Sequence, residues 1–191
     1  MTDAPVNRRA FFSRGFRRVL GHAVDSVTDR LGSGQYIRPP GALPEAAFLA
    51  ACTRCGECER VCPVQAIHML GTETGLAAGT PALDVNLRAC VMCADMPCAA
   101  ACPTDALEVP DSLWADVRMA RIEINIDRCI AYQDMECGVC ARTCPVGNDA
   151  LALDAIGRPV VGAACTGCGV CINACVTTPS SIMAHSLGAV S

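Results

Sequence analysis

Sixteen cysteines in a chain of 191 residues constrain the fold more than any other feature, because they stand in four tight groups. The first is Cys52-x2-Cys55-x2-Cys58-x3-Cys62, followed by Pro63. The second is Cys90-x2-Cys93-x4-Cys98-x3-Cys102, followed by Pro103. The third is Cys129-x7-Cys137-x2-Cys140-x3-Cys144, followed by Pro145. The fourth is Cys165-x2-Cys168-x2-Cys171-x3-Cys175, with Val176 in place of the proline. A disulfide framework joins distant segments, so clumped cysteines argue against one. The groups recur as an internal repeat.

The spacing suits a cubane iron–sulfur cluster. A C-x2-C-x2-C loop wraps three corners within one turn of backbone, and the cysteine that follows reaches the neighbouring cluster in two-cluster ferredoxins. A proline after it ends the helical turn. Zinc sites also use C-x2-C, but as two separated pairs. Sixteen ligands in quartets supply four [4Fe–4S] clusters with none left over. The segments VQAIHM, TDALEV and NDALALDA after the first three groups, and PALDVNL and RIEINID before the second and third, read as short strands or turns around the loops. The expected fold is α+β: two ferredoxin-like dicluster units, irregular and loop-rich, with an N-terminal amphipathic helix.

The destination of each fourth cysteine is open in the sequence. Groups one and four are regular and groups two and three are stretched, which favours a nested exchange. In that scheme Cys175 joins Cys52, Cys55 and Cys58, and Cys62 joins Cys165, Cys168 and Cys171. Cys144 then joins Cys90, Cys93 and Cys98, and Cys102 joins Cys129, Cys137 and Cys140. The alternative is sequential, pairing group one with two and three with four.

Aromatic residues make up only 4% of the chain, so a core of large rings is not available. Lysine is absent. Residues 1–38 carry seven Arg against three acids, whereas residues 39–191 carry eight Arg against sixteen acids. Four clusters with their thiolates would add a formal charge of roughly −8. An acidic body excludes nucleic acid, which demands phosphate neutralisation. From Pro159 to Ser191 there is no Asp, Glu, Lys or Arg, yet cysteines, glycines and prolines interrupt it too often for a membrane-spanning helix. Every group offers four cysteines and so leaves no open iron site. No nucleotide loop or other catalytic constellation is visible. Such a chain passes electrons rather than transforming a substrate.

Residues 1–35 read as a basic arm. Arg8-Arg9-Ala10-Phe11-Phe12 is similar to a twin-arginine export signal, but the apolar stretch that should follow is broken by Arg14, Arg17 and Arg18. What remains is helical periodicity, with Phe12, Phe16, Val19, Leu20, Ala23, Val27 and Leu31 on one face. Such a helix suits an anionic membrane surface or a groove in a partner. Gly32-Ser33-Gly34 links it to a cluster domain over 36–185, and 186–191 form a tail. A cytoplasmic or cytoplasmic-face location follows, with periplasmic export by the twin-arginine route as the alternative.

The chain resembles the NapG/MauM group of ferredoxin-type proteins over residues 36–183. The resemblance rests on Ile37-Arg38-Pro39-Pro40-Gly41-Ala42, Gly75-Leu76-Ala77-Ala78-Gly79-Thr80-Pro81, Pro97-Cys98, Tyr132-Gln133 and Cys165-Thr166-Gly167-Cys168-Gly169. It implies four [4Fe–4S] clusters in an electron-transfer subunit, working with a redox partner such as a membrane quinol-oxidising subunit. The missing apolar stretch and a shorter spacer between groups three and four depart from the group's pattern. A maturation factor for a redox enzyme is the rival reading. Two bulges interrupt the ligand loops, Ala94–Pro97 and Tyr132–Glu136. Each either shields a cluster or forms a docking lip. The docking candidates are Arg14, Arg17 and Arg18 on the arm and Tyr132 and Gln133 in the longer bulge.

Overall fold

The computed structural model describes residues 36–111 and 114–188. The chain divides into two units, residues 1–33 and 34–191. The arm, with its expected helix and with Arg14, Arg17 and Arg18, lies outside the described residues.

Regular structure in the second unit is short, as the ligand loops demand. The helices are α1 (Glu45–Ala51), α2 (Glu57–Arg60), α3 (Pro97–Ala100), α4 (Val139–Arg142) and α5 (Val170–Asn173). Among the described residues six strands pair as three two-stranded antiparallel ribbons. β1 (Ile67–Met69) pairs with β2 (Pro81–Leu83), β4 (Leu151–Leu153) with β5 (Pro159–Val161), and β3 (Ala120–Ile124) with β6 (Ile182–Ser186). The β4–β5 turn shows why these ribbons close so tightly. The Asp154 carboxylate accepts the N–H groups of Ile156 and Arg158 at 3.0 and 2.8 Å. Gly157 supplies the positive φ of 84° that the turn needs.

The two halves repeat one plan. In the first, an isolated bridge between Ala42 and Leu107 joins the start to the end, the β1–β2 hairpin lies between the ligand groups, and α2 packs on α3. In the second, β3 and β6 make the closing pair, from Ala120↔Ser186 to Ile124↔Ile182. The β4–β5 hairpin lies between the groups, and α4 packs on α5. Phe48, Val85, Met96, Leu107 and Ile182 are fully buried, and the apolar cluster they anchor takes in ligand cysteines from every group. Among the described residues no helix is long and apolar enough to cross a membrane.

One buried cation ties the entry of the first half to its hairpin. Arg38 makes a two-pronged ion pair with Glu45, Nε to Oε2 at 2.9 Å and Nη2 to Oε1 at 2.5 Å. Its Nη1 donates to Thr80 Oγ1 at 2.9 Å and to the Pro81 carbonyl at 2.8 Å. The guanidinium also lies 4.7 Å from the Phe48 ring centre and 5.4 Å from that of Tyr36. The fork geometry and ring stacking are properties of Arg that Lys lacks. Arg38→Met would strand the nearly buried Glu45 carboxylate and should destabilise the loaded protein by about 3 kcal/mol. Denaturant unfolding of the holoprotein checks this, and an unchanged midpoint would refute the role.

Candidate metal centres

Each ligand group is built on the same local frame. The residue two before the third cysteine adopts a left-handed conformation and caps a four-residue helix. These residues are Gly56, Met96, Gly138 and Gly169. The third cysteine (Cys58, Cys98, Cys140, Cys171) is the second residue of that helix, and the fourth follows the helical turn by one residue. The left-handed cap turns the next backbone N–H groups inward. A Cβ is tolerated poorly there, which explains three glycines. Met96 is the exception, with φ of 42°. Its side chain is fully buried against Cys62, Cys90, Cys93 and Cys98.

The cysteines converge in four quartets, each around a void. Site A holds Cys52, Cys55, Cys58 and Cys102. Site B holds Cys90, Cys93, Cys98 and Cys62. Site C holds Cys165, Cys168, Cys171 and Cys144. Site D holds Cys129, Cys137, Cys140 and Cys175. The same four-thiol donor set is thus built four times over. Among the described residues no three His, Cys, Asp or Glu side chains close on a point that would take a single metal ion. Four soft thiols facing one space are the donor set that holds an iron–sulfur cluster.

This arrangement corrects the nested exchange. Cys62 lies with group two and Cys102 with group one; Cys144 lies with group four and Cys175 with group three. The physical reason is chain connectivity. A short hairpin follows groups one and three and returns the chain beside the helix it has just left, so consecutive groups are neighbours. The nested scheme would have to close much longer loops. Cys129 is a full member of site D, so the third group is stretched rather than broken.

Ligand electrostatics differ with position in the motif. Burial pushes the Cys98 and Cys171 thiols up to about 12, with neighbouring thiols adding to the shift. Burial likewise lifts Cys58 and Cys90 to about 11. These groups become thiolates only when positive iron compensates their desolvation. The fourth cysteines of sites A and D behave differently. Burial alone would raise the Cys175 thiol, but the hydroxyls of Ser181 and Thr177 and their backbone N–H groups outweigh it and bring the value to about 6. Those hydroxyls lie 3.3 and 3.2 Å from the sulfur. At Cys102 burial is again outweighed, by the backbone N–H groups of Leu107, Thr104 and Ala106 and the Thr104 hydroxyl. These donors were missed in the sequence, although the signal was present. Groups two and four read Cys-x-Thr, and groups one and three read Cys-Pro-Val.

The longer bulge is pinned beside site D. Tyr132 ends a short 3-10 turn, Ile130–Tyr132. Its hydroxyl donates to the Pro159 carbonyl at 3.2 Å, and the Arg158 guanidinium lies 5.3 Å from its ring centre. Gln133 is exposed and donates to the Ile126 carbonyl at 3.3 Å. At site A, Arg54 donates to the Ala78 and Leu76 carbonyls at 2.9 and 3.2 Å and so holds loop 76–78 next to the ligands. Trp114 lines site B and donates to the Cys93 carbonyl at 3.0 Å.

Two ferredoxin-like halves, each with exchanged cysteine quartets, define an iron–sulfur protein of the ferredoxin type. A family model of a 4Fe-4S dicluster domain matches residues 51–106, which coincides with the pairing of groups one and two. A model of a 4Fe-4S binding domain matches residues 126–147 and 163–177. The chain is 37% identical to the methylamine utilization ferredoxin-type protein MauM of Methylophilus methylotrophus over 94% of this chain and 86% of that protein. It is 36% identical to the ferredoxin-type protein NapG of Escherichia coli K12, over 93% and 85%. With MauM of Paracoccus denitrificans the identity is 41%, over 76% and 69%. The chain belongs to the MauM/NapG family of ferredoxin-type proteins, and [4Fe–4S] clusters are its cofactors. No solved structure matches it.

Hydrogen bonds to a ligand sulfur stabilise the reduced, more negative cluster and raise its potential. Thr177→Val with Ser181→Ala should therefore lower the potential of one cluster. At about 1 kcal/mol per lost bond the shift is about 40 mV for each in a one-electron couple. A redox titration followed by electron paramagnetic resonance checks this, and an unshifted set of potentials would contradict it.

Proposed function

We propose that the protein is an electron-relay subunit in which each of the four quartets ligates one [4Fe–4S] cluster, without catalytic chemistry of its own. The observation that carries this reading is the exchange of fourth cysteines, which gives every site four thiols and leaves none open for a substrate. When bound, such a cluster supplies reversible one-electron exchange. The chain holds each cluster by its four thiols, surrounds it with inward N–H groups and buries it among apolar residues. A donor protein loses one electron, an acceptor gains one, and no bond of the chain changes.

The MauM relatives are named for methylamine utilization, and the family resemblance suggests a membrane quinol-oxidising donor. In this reading Arg14, Arg17 and Arg18 contact the donor or an anionic membrane surface at the cytoplasmic face. Both bulge residues bond to backbone carbonyls, Tyr132 to Pro159 and Gln133 to Ile126, but only Gln133 is exposed, so it is the one placed to meet a partner.

Loaded protein should contain about 16 irons per chain. Cys55→Ser and Cys137→Ser should each remove about four irons and the signal of one cluster. Chelating the iron should abolish the folded circular-dichroism spectrum, because buried neutral thiols cannot replace clusters as core. A full complement of iron in both variants would sink the assignment of these ligands.

A further inference from the structure

The ligand loops of sites A and C have the same sequence frame but opposite surroundings. Thr53, Arg54 and Cys55 of site A are exposed, whereas Thr166, Gly167, Cys168 and Gly169 of site C are all buried. Two things cover the second loop. One is the start of β3 in its own half, where the Met119 N–H donates to the Thr166 carbonyl at 2.8 Å and Ala120 lies against Gly167. The other is the first half of the protein. The Cys90 N–H, in a ligand of site B, donates to the carbonyl of Cys168, in a ligand of site C, at 2.8 Å. The Thr166 hydroxyl donates to the Met92 sulfur at 3.4 Å, beside the same two sites. A Cβ on Gly169 would fall 2.5 Å from the Val85 carbonyl oxygen, so this close approach needs glycine.

The joint is bolted away from the ligands as well. Asn86 exchanges two hydrogen bonds with the backbone of Ala184 on β6, at 3.1 and 2.9 Å. Asn173 donates to the Leu87 carbonyl at 3.4 Å. All these contacts between the halves join segment 85–92 of the first to residues of the second. Within each half, the paired helices already tie two sites together. α2 carries a ligand of A (Cys58) and is followed by one of B (Cys62); α4 carries a ligand of D (Cys140) and is followed by one of C (Cys144).

We infer that the backbone contact between Cys90 and Cys168, held by Asn86, Thr166 and Gly169, is the electronic joint between the halves, so that the four sites run in the single order A–B–C–D. This rests on the reading of each quartet as a cluster site. Transfer across the joint moves one electron, one side being oxidised as the other is reduced, with no bond made or broken. Asn86, Thr166 and Gly169 act as positioning residues. Sites A and D become the two ends that meet redox proteins. Their surroundings differ. Glu57, Arg54 and Thr53 line A, while Val176, exposed, lines D.

The test removes sites in pairs from the full chain. Cys55→Ser with Cys137→Ser leaves B and C; Cys93→Ser with Cys165→Ser leaves A and D. Both should retain about eight irons. Fully reduced, the B–C protein should show a split, broadened paramagnetic resonance spectrum from two interacting spins. The A–D protein should show two independent signals. An uncoupled B–C pair or a coupled A–D pair would overturn the order. Should either double variant fail to load, Asn86→Ala with Thr166→Val, which keeps every cysteine, should narrow the spectrum of the fully loaded protein at unchanged iron. An identical spectrum there would overturn the joint. Intact protein with fewer than about 16 irons would instead refute the cluster assignment.

Discussion

Four sulfurs have to meet around each site, and three of them come from one loop while the fourth comes from another. That exchange governs the rest of the structure. Cys58 lies in one short helix and Cys62 just after it, yet they face different sites, as do Cys98 and Cys102. Two helices therefore cannot separate without opening two sites at once. The same holds for Cys140, Cys144, Cys171 and Cys175. Long helices and broad sheets would not serve here, because each group must turn the chain within a few residues. Three-residue strands are enough to return it.

With so few aromatic residues, the ligands themselves form much of the interior. Cys58, Cys98, Cys129, Cys140, Cys168 and Cys171 are all buried, and desolvation holds most of those thiols in the neutral form until iron is present. Among the described residues little else is aromatic: Phe48 and Tyr36 beside the Arg38 guanidinium, Trp114 against site B, Tyr132 on β5. Function follows from the same economy. Sulfur ligands pressed close to the backbone are within reach of N–H groups and of the Thr177 and Ser181 hydroxyls, and these donors distinguish sites that are otherwise built alike.

Much of the site was legible because the motif is local. The spacing of Cys165, Cys168 and Cys171 alone implies a loop around one group of metal atoms, and Pro63, Pro103 and Pro145 mark where each chain segment leaves. RIEINID became β3 and VQAIHM became β1, since alternation survives even in short strands. TDALEV gave only the single bridge at Leu107, and β6 in the charge-free C-terminal stretch was not read as a strand. Its partner, β3, lies too far away in sequence for a local pattern to reveal the pairing. Similar spacing in groups one and four suggested that they belong together, but spacing records how a loop wraps its own metal. It carries no information about which helix lies alongside.

The sequence by itself determined the chemistry: soft thiols in quartets, an acidic body and a basic arm. Those follow from residue type and short-range spacing, which need no partner across space. Only the tertiary structure decided which fourth cysteine serves which site and which two sites face each other. Both depend on contacts between residues far apart in the chain, such as Cys62 with Cys90 and Cys90 with Cys168. Those contacts are settled by the hairpins that fold each half and by the glycine that lets the halves touch.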